Sequence, residues 1–370
     1  MKKIGFVICK SELSNWNGGI SYYRNIINLI KDTQDITIFT DSTNFVKKKI
    51  SDKVNIIESS IFKKEKFFYI IRKSIIFILK KDLILFNLLK KNKIDILSHR
   101  KLFKNNDIIS IGWIPDLQQK VLSSFFDTKY LKLREKYIES EIKNTDKIFV
   151  SSNQIKKEFK TYYNLTKKVI ALRVPSVLVK TKIENKINLV NKFILFPAQF
   201  WQHKNHLIVL QASEILKKEK VQIKFILTGH TNDYRSKNYF EYLKKEIIKK
   251  KLNKYVVIKG QVSEKVLQQL QDECLAFINP SLYEGWSTPN EEARAINKHI
   301  FLSNIPGHME QSNPGSIFFS TKNPNDLAKN IKLFLKKKTY LNNKYLINKN
   351  KLFYHEIKKE TLKSLSKVYK

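Results

Sequence analysis

The chain has 370 residues, 42% of them hydrophobic, and a formal net charge of +37. That length accommodates about two domains of roughly 100–200 residues each, and the apolar content can fill their cores, which excludes a disordered chain. Two cysteines, Cys9 and Cys274, far apart and without metal-ligand spacing, exclude a disulfide framework and a cysteine-based zinc site; they fit a reducing, cytoplasmic compartment.

The charge invites a nucleic-acid reading, but only 7 of the 70 basic residues are arginine. Arginine is the residue suited to bidentate phosphate and base recognition, so its scarcity argues against that partner. The accompanying richness in Ile, Asn, Phe and Tyr is what A+T-rich coding produces with no partner at all. The remaining alternative is an anionic membrane surface.

In chain order, Lys3–Ile8 reads as a first strand rather than a signal peptide, because its apolar core is short and ends at Lys10 and Glu12. Gly18 and Gly19 precede a helix over Ile20–Ile30, whose apolar residues fall at helical spacing. The glycine pair allows either close approach of a ligand or a plain turn. Strands are expected at Ile36–Thr40 and Val54–Ser59. The apolar stretch Phe67–Leu89 is broken by Arg72–Lys73, Lys80–Lys81–Asp82 and Asn87, breaks that line one stripe of a helix. Its uncharged runs are far shorter than the roughly 20 residues needed to span a bilayer. It reads either as a basic amphipathic helix lying on a membrane surface or as a helix packed on its own sheet with its lysines solvated.

Further strands are expected at Ile94–His99, Ile108–Asp116 and Lys147–Ser152, with helices from Lys129 to Ile142 and from Asn153. Val174–Lys192 breaks the rhythm and is the expected interdomain connection. Strand–helix alternation then resumes with strands at Phe193–Ala198, Ile223–Gly229, Tyr255–Gly260 and Leu275–Asn279, and a closing helix over Tyr354–Tyr369. Such apolar strands separated by helices predict parallel sheets covered on both faces, with ligands at the carboxyl ends of the strands.

The most informative stretch is Asn279–Gln311. A strand ends in a short loop that feeds a helix beginning near Pro289. Thr288, Pro289 and Glu291 have capping-box spacing, which assigns Glu291 to the cap. Glu284 and Glu292, eight positions apart, are then left to accept from the hydroxyls of a sugar or ribose, or to be solvated. Lys204, after the strand Phe193–Ala198, is placed to meet a phosphate, and Gly229 ends the next strand.

The strings PSLYEGWSTPNEEARA and SNIPGHMEQ, with PAQFWQHKNH, TGH at Thr228–His230 and WIPDLQQ at Trp113–Gln119, resemble retaining GT-B glycosyltransferases of the family 4 type, the glycosyl transferases group 1. The resemblance covers the whole chain. It implies an α/β GT-B architecture, two Rossmann-like domains with parallel sheets facing a central cleft. The corresponding boundaries are 1–175 for an acceptor-side domain, 176–350 for a donor domain, and 351–370 for a C-terminal helix that can cross back. By position, it implies that Glu292 holds the donor ribose, Lys204 the diphosphate and Glu284 the sugar hydroxyls, with the backbone of Gly285, Trp286, Ser287 and Thr288 alongside. Asp116 and the Gly18–Gly19 loop match the acceptor side. Two positions depart from the pattern: Gln199 stands where an arginine is common, and Lys120 where a histidine is common. The implied activity is retaining sugar transfer from a UDP- or GDP-sugar to a glycan or lipid-linked acceptor in cell-surface polysaccharide synthesis (lipopolysaccharide, O-antigen or capsule). Such enzymes need no tightly bound metal; the sparse cysteines fit a cytoplasmic place, and the basic amphipathic segment Phe67–Leu89 suits peripheral contact at the inner face of the membrane. The alternatives are a GT-B epimerase or phosphorylase, and a non-catalytic basic binding protein.

Overall fold

The computed structural model describes residues 2–14, 16–176, 192–233, 236, 238–338 and 344–369; the expected connection Val174–Lys192 falls mostly outside them. Within those residues the chain divides into two units. One comprises residues up to Leu117, Lys129–Ser176 and the residues from Glu356; the other comprises Gln118–Thr128 and the described residues from 192 to His355.

In the first unit the strands are β1 (Lys3–Val7), β2 (Asp35–Thr40), β3 (Asn55–Glu58), β4 (Ile96–Ser98), β5 (Ile109–Trp113), β6 (Lys147–Val150) and β7 (Val169–Ala171). They form one sheet in the order 3-2-1-4-5-6-7, with parallel pairing throughout. Alternate side chains of each strand enter opposite cores. Ile4, Phe6, Ile36 and Ile38 join one cluster, which also takes Leu365, Val368 and Tyr369, while Val7, Phe39 and Leu97 join the other. The helix Asn17–Ile30 covers the first cluster with Ile20, Tyr23, Ile26, Ile27 and Ile30, all buried, at the positions the spacing predicts.

The second unit repeats the plan with β8 (Phe193–Pro197), β9 (Lys224–Thr228), β10 (Val256–Gly260), β11 (Ala276–Asn279), β12 (His299–Ser303) and β13 (Ser316–Phe319). The order is 10-9-8-11-12-13, again all parallel. Numbered within the unit this is 3-2-1-4-5-6, the doubly wound order. Ile194 and Phe196 point to one core, Phe193 and Leu195 to the other. Burial on both faces is what requires such unbroken apolar strands. The order reverses between β8 and β11, so the loops leaving their carboxyl ends diverge and open the crevice where ligands bind in such sheets.

Several expectations are corrected. The stretch Phe67–Leu89 is two helices, Phe67–Leu79 and Leu83–Lys91. Lys80 takes a left-handed conformation (φ 54°) and ends the first, and the Asp82 carboxylate caps the second by accepting from the Leu85 amide at 3.2 Å. The same carboxylate grips the Arg72 guanidinium at 2.6–3.1 Å, and Arg72 also donates to the Ile61 carbonyl at 3.3 Å. Arg72, read from the sequence as part of a polar stripe, is therefore buried and paired. The closing helix starts at Lys344 rather than Tyr354. The edge strands β7 and β13 and the helix Pro324–Lys337 were not anticipated.

Asp82→Ala leaves a buried guanidinium without its counterion and uncaps a helix. It is expected to destabilise the protein by about 3–5 kcal/mol, measured by urea unfolding followed by circular dichroism; a change below about 0.5 kcal/mol would contradict the assignment.

Candidate functional site

The reversal point of the second sheet is where its polar chemistry gathers. After β8, the chain turns through a short helix at Gln202–Lys204 and starts the helix His206–Lys218. After β11 it forms the loop Pro280–Trp286 and enters the helix Thr288–Ala295. The two loops are tied by the Leu282 amide donating to the His203 carbonyl at 2.8 Å. That bond sets Lys204 beside Glu284, and the Lys204 Nζ donates to Glu284 Oε1 at 2.5 Å. Both side chains are largely covered, with 17% and 11% of their surface exposed.

Glu284 is held from several sides. Ser281 Oγ lies 2.7 Å from the same oxygen. The Ser281 carbonyl in turn accepts from Ser303 Oγ at 2.5 Å. Gly307 lies against the Glu284 backbone so closely that a Cβ there would sit 2.3 Å from the Glu284 carbonyl oxygen. Burial pushes the Glu284 carboxyl up, but the Lys204 ammonium, with the nearby His308 and the hydrogen bonds, outweighs it and leaves the group below its ordinary range. Glu284 is thus a fixed carboxylate next to a fixed ammonium.

Glu292 stands in a separate polar set. It lies on the second turn of the helix and accepts from Gln271 Nε2 at 2.9 Å, Gln271 coming from the helix Glu264–Glu273. Glu291 is not a cap. Ser287 is the N-cap, its hydroxyl accepting from the Asn290 amide at 3.4 Å, rather than Thr288. Glu291 forms a buried ion pair with Arg294, both carboxylate oxygens accepting from Nη1 at 2.8 Å, and the Arg294 guanidinium lies 3.9 Å from the Phe353 ring centroid. Helical i, i+3 spacing to Arg294 competes with the capping-box spacing, and the ion pair wins.

The side chain that fastens this junction is Gln311, fully buried. Its Oε1 accepts from the Ser287 amide at 2.9 Å and from Asn290 Nδ2 at 3.3 Å; its Nε2 donates to the Ser287 carbonyl at 2.7 Å and to Glu291 Oε1 at 2.8 Å. Sequence reasoning missed Gln311 and Gln271, because each acts across a chain separation that no local spacing marks, and Ser281 and His308, whose roles depend on the burial of Glu284 in the fold. The Ser287 amide, expected beside a ligand, is engaged within this network, and so is its hydroxyl, Asn279 Nδ2 donating to Ser287 Oγ at 2.7 Å.

Gly229 has φ 136°, and a Cβ there would sit 2.2 Å from the Ala198 carbonyl oxygen and 2.9 Å from the Gln199 nitrogen. The close approach it permits is made by the chain's own β8–loop peptide. Gln199 is half-buried just beyond β8, and Gly285, Trp286 and Thr288 lie where the loop meets the helix. The other expected site residues belong to the first unit. Asp116 follows β5 and its carbonyl accepts from Arg134 at 3.4 Å. Gly18 and Gly19 lie under the Trp16 indole, 2.4 Å being the distance from a Cβ at Gly19 to the ring. Among the described residues, no group of three or more His, Cys, Asp and Glu side chains is arranged to hold a metal ion.

With this geometry in place, comparison with known proteins is informative. Residues 179–353 match the family model of the Glycosyl transferases group 1. That span contains Lys204, Glu284, Glu292 and Gln311, and the match supports glycosyltransferase activity. No curated protein matches the chain by sequence. Solved structures resemble it over its whole length. Anabaena HepE in complex with UDP-glucose is 13% identical, covering 100% of each chain at a TM-score of 0.70. S. aureus TarM, as a variant in complex with Fondaparinux, alpha-GlcNAc-glycerol and UDP, is 15% identical, covering 100% of each chain at 0.66. The lipopolysaccharide outer core galactosyltransferase WaaB is 13% identical, covering 100% of each chain at 0.62. At these identities the likeness shows the fold: α/β with two parallel sheets, shared with GT-B glycosyltransferases.

His206 tests the electrostatics of this unit. Its ring is stacked between Phe196 and Phe200, with centroids 4.4 and 4.6 Å away, and neither ring nitrogen has a hydrogen-bond partner. Burial, with a smaller contribution from Lys204, lowers its pKa to about 3. A group so depressed contributes stability that is fully present above its unfolded pKa near 6.5 and is lost as pH falls toward the folded value. His206→Phe keeps the stack and removes the proton site. Relative to the parent protein, it is expected to be about 2 kcal/mol more stable at pH 5 than the comparison at pH 7 implies, measured by denaturant unfolding at both pH values. Equal pH dependence would show that His206 is not neutral in the fold.

Proposed function

We propose that the protein is a retaining glycosyltransferase of the family 4 type, a hexosyltransferase that uses a UDP- or GDP-sugar and a glycan or lipid-linked acceptor in cell-surface polysaccharide synthesis. The observation that carries the reading is the Lys204–Glu284 pair at the reversal point of the second sheet, within the residues that match group 1. The UDP-glucose bound to HepE, the UDP and alpha-GlcNAc-glycerol bound to TarM, and the galactosyltransferase activity in WaaB's name support the donor and acceptor classes.

In this reading the second unit holds the donor and the first the acceptor, with Asp116 and the Gly18–Gly19 loop on the acceptor side. Lys204 meets the diphosphate, Glu284 the sugar hydroxyls, and Glu292 the ribose hydroxyls, carboxylates being strong acceptors for vicinal diols. The backbone from Gly285 to Thr288 lies along the sugar, and Gln199 and Gly229 border the phosphates. Because Gln199 is neutral, charge development on the leaving diphosphate falls to Lys204 and to the backbone dipoles at the loop–helix junction. Glu284 neutralises Lys204, so donor binding exchanges that ion pair for one lysine–phosphate and one carboxylate–hydroxyl contact.

Calorimetric titration with UDP and GDP tests the donor site. Glu292→Ala is expected to weaken binding of the preferred nucleotide at least tenfold, and Lys204→Ala more strongly, while circular dichroism stays that of the parent. Unchanged affinity in Glu292→Ala would remove the ribose assignment. The anomeric configuration of the product, read by NMR, decides retention: an inverted product would overturn it.

A further inference from the structure

The helix Phe67–Leu79 is unusual in what it leaves uncovered. Phe67, Phe68, Ile70, Phe77, Ile78 and Leu79 are each at least half exposed, Phe77 at 75% and Ile78 at 72%. At 100° per residue, Phe67, Ile70, Ser74, Phe77 and Ile78 form one stripe along the helix. Lys66, Lys73 and Lys80, seven residues apart, run along one flank of that stripe, and all are exposed. The opposite side is anchored: Arg72 is buried, bound to Asp82 and the Ile61 carbonyl, and lies over the Phe62 ring at 5.0 Å. The outward apolar face is therefore held in place by a buried ion pair rather than left over from a poorly packed helix.

Exposed apolar patches of this kind mark interaction surfaces, and the surrounding charge selects the partner. From Ser60 to Lys81 the chain carries one acid, Glu65, against seven basic residues. Pairing with a second copy through a two-fold axis would bring the two lysine rows to the same interface, in a chain already at +37. Among the described residues no helix is long and apolar enough to cross a membrane. A helix with an apolar stripe and a lysine row beside it instead matches an anionic lipid surface, where the rings enter the acyl boundary and the ammonium groups remain among the headgroups.

We infer that the stripe Phe67–Ile70–Phe77–Ile78 of the first unit docks on an anionic membrane leaflet, with Lys66, Lys73 and Lys80 bound to lipid headgroups. This surface is independent of the donor site, and its test uses no donor. Cys9 and Cys274 are buried, so a Ser74→Cys variant takes an environment-sensitive dye at the centre of the stripe. Vesicles containing phosphatidylglycerol are expected to shift its emission to the blue, whereas pure phosphatidylcholine vesicles leave it nearly unchanged. Replacing Lys66, Lys73 and Lys80 by Gln is expected to lower co-sedimentation with the anionic vesicles by about a hundredfold, and Phe77→Asp with Ile78→Asp to abolish the blue shift read from the same label. These positions are solvent-exposed, so circular dichroism is expected to match the parent. No blue shift with anionic vesicles, or undiminished sedimentation of the lysine variant, would overturn the inference. So would a concentration-dependent dimer, seen by ultracentrifugation without lipid and dispersed by the Phe77 and Ile78 changes, which would make a second copy the occupant.

Discussion

Parallel strand pairing is the constraint on which the rest of this molecule depends. Each connection must return to the same end of the sheet, so helices cover both faces and the inner strands lose water on both sides. All loops at strand carboxyl ends then gather along one edge, and only where the strand order reverses do neighbouring loops part. In the second unit that point lies between β8 and β11, and it is the two loops leaving those strands that bring Lys204 and Glu284 to 2.5 Å. The pair is a product of topology, made from residues 80 positions apart.

A carboxylate and an ammonium in a covered crevice are useful only if neither can drift. Glu284 is fixed through Ser281, Ser303 and the close approach of Gly307, and the helix that follows is fixed through Gln311 and the buried Glu291–Arg294 pair. These contacts have little to gain from solvent exchange, because a buried polar group without its partner costs more than the bond contributes when made. The supporting shell is therefore rigid, and in the proposed reading the partly exposed Lys204–Glu284 contact is the one that the donor replaces.

Much of the fold was legible because burial on both faces writes itself into the chain as unbroken apolar runs. The strands from Lys3 to Val150 and from Phe193 to Asn279 stand within a few residues of their expected places. The strands β7 and β13 escaped notice because runs of three and four residues are too short to show a periodicity. The stretch Phe67–Leu89 misled because hydrophobic periodicity continues through Lys80–Asp82 although the backbone does not. At the candidate site, Glu284, Lys204 and Glu292 were reached through resemblance and strand position. The role of Gln311 depends on a long-range contact that local spacing does not encode; Glu291 has two competing local spacings, to the cap and to Arg294, and burial of the ion pair decides between them.

The two cysteines have a consequence outside any ligand chemistry. Cys9 lies in a core of the first unit and Cys274 in a core of the second, and burial pushes both thiols up to about 12. Neither offers a thiolate while its surroundings remain packed. Each unit thus contains its own internal clock: the rate at which a thiol reagent modifies Cys9 or Cys274 reports how often that core opens. One chain, without added probes, can reveal whether its two halves come apart together or separately.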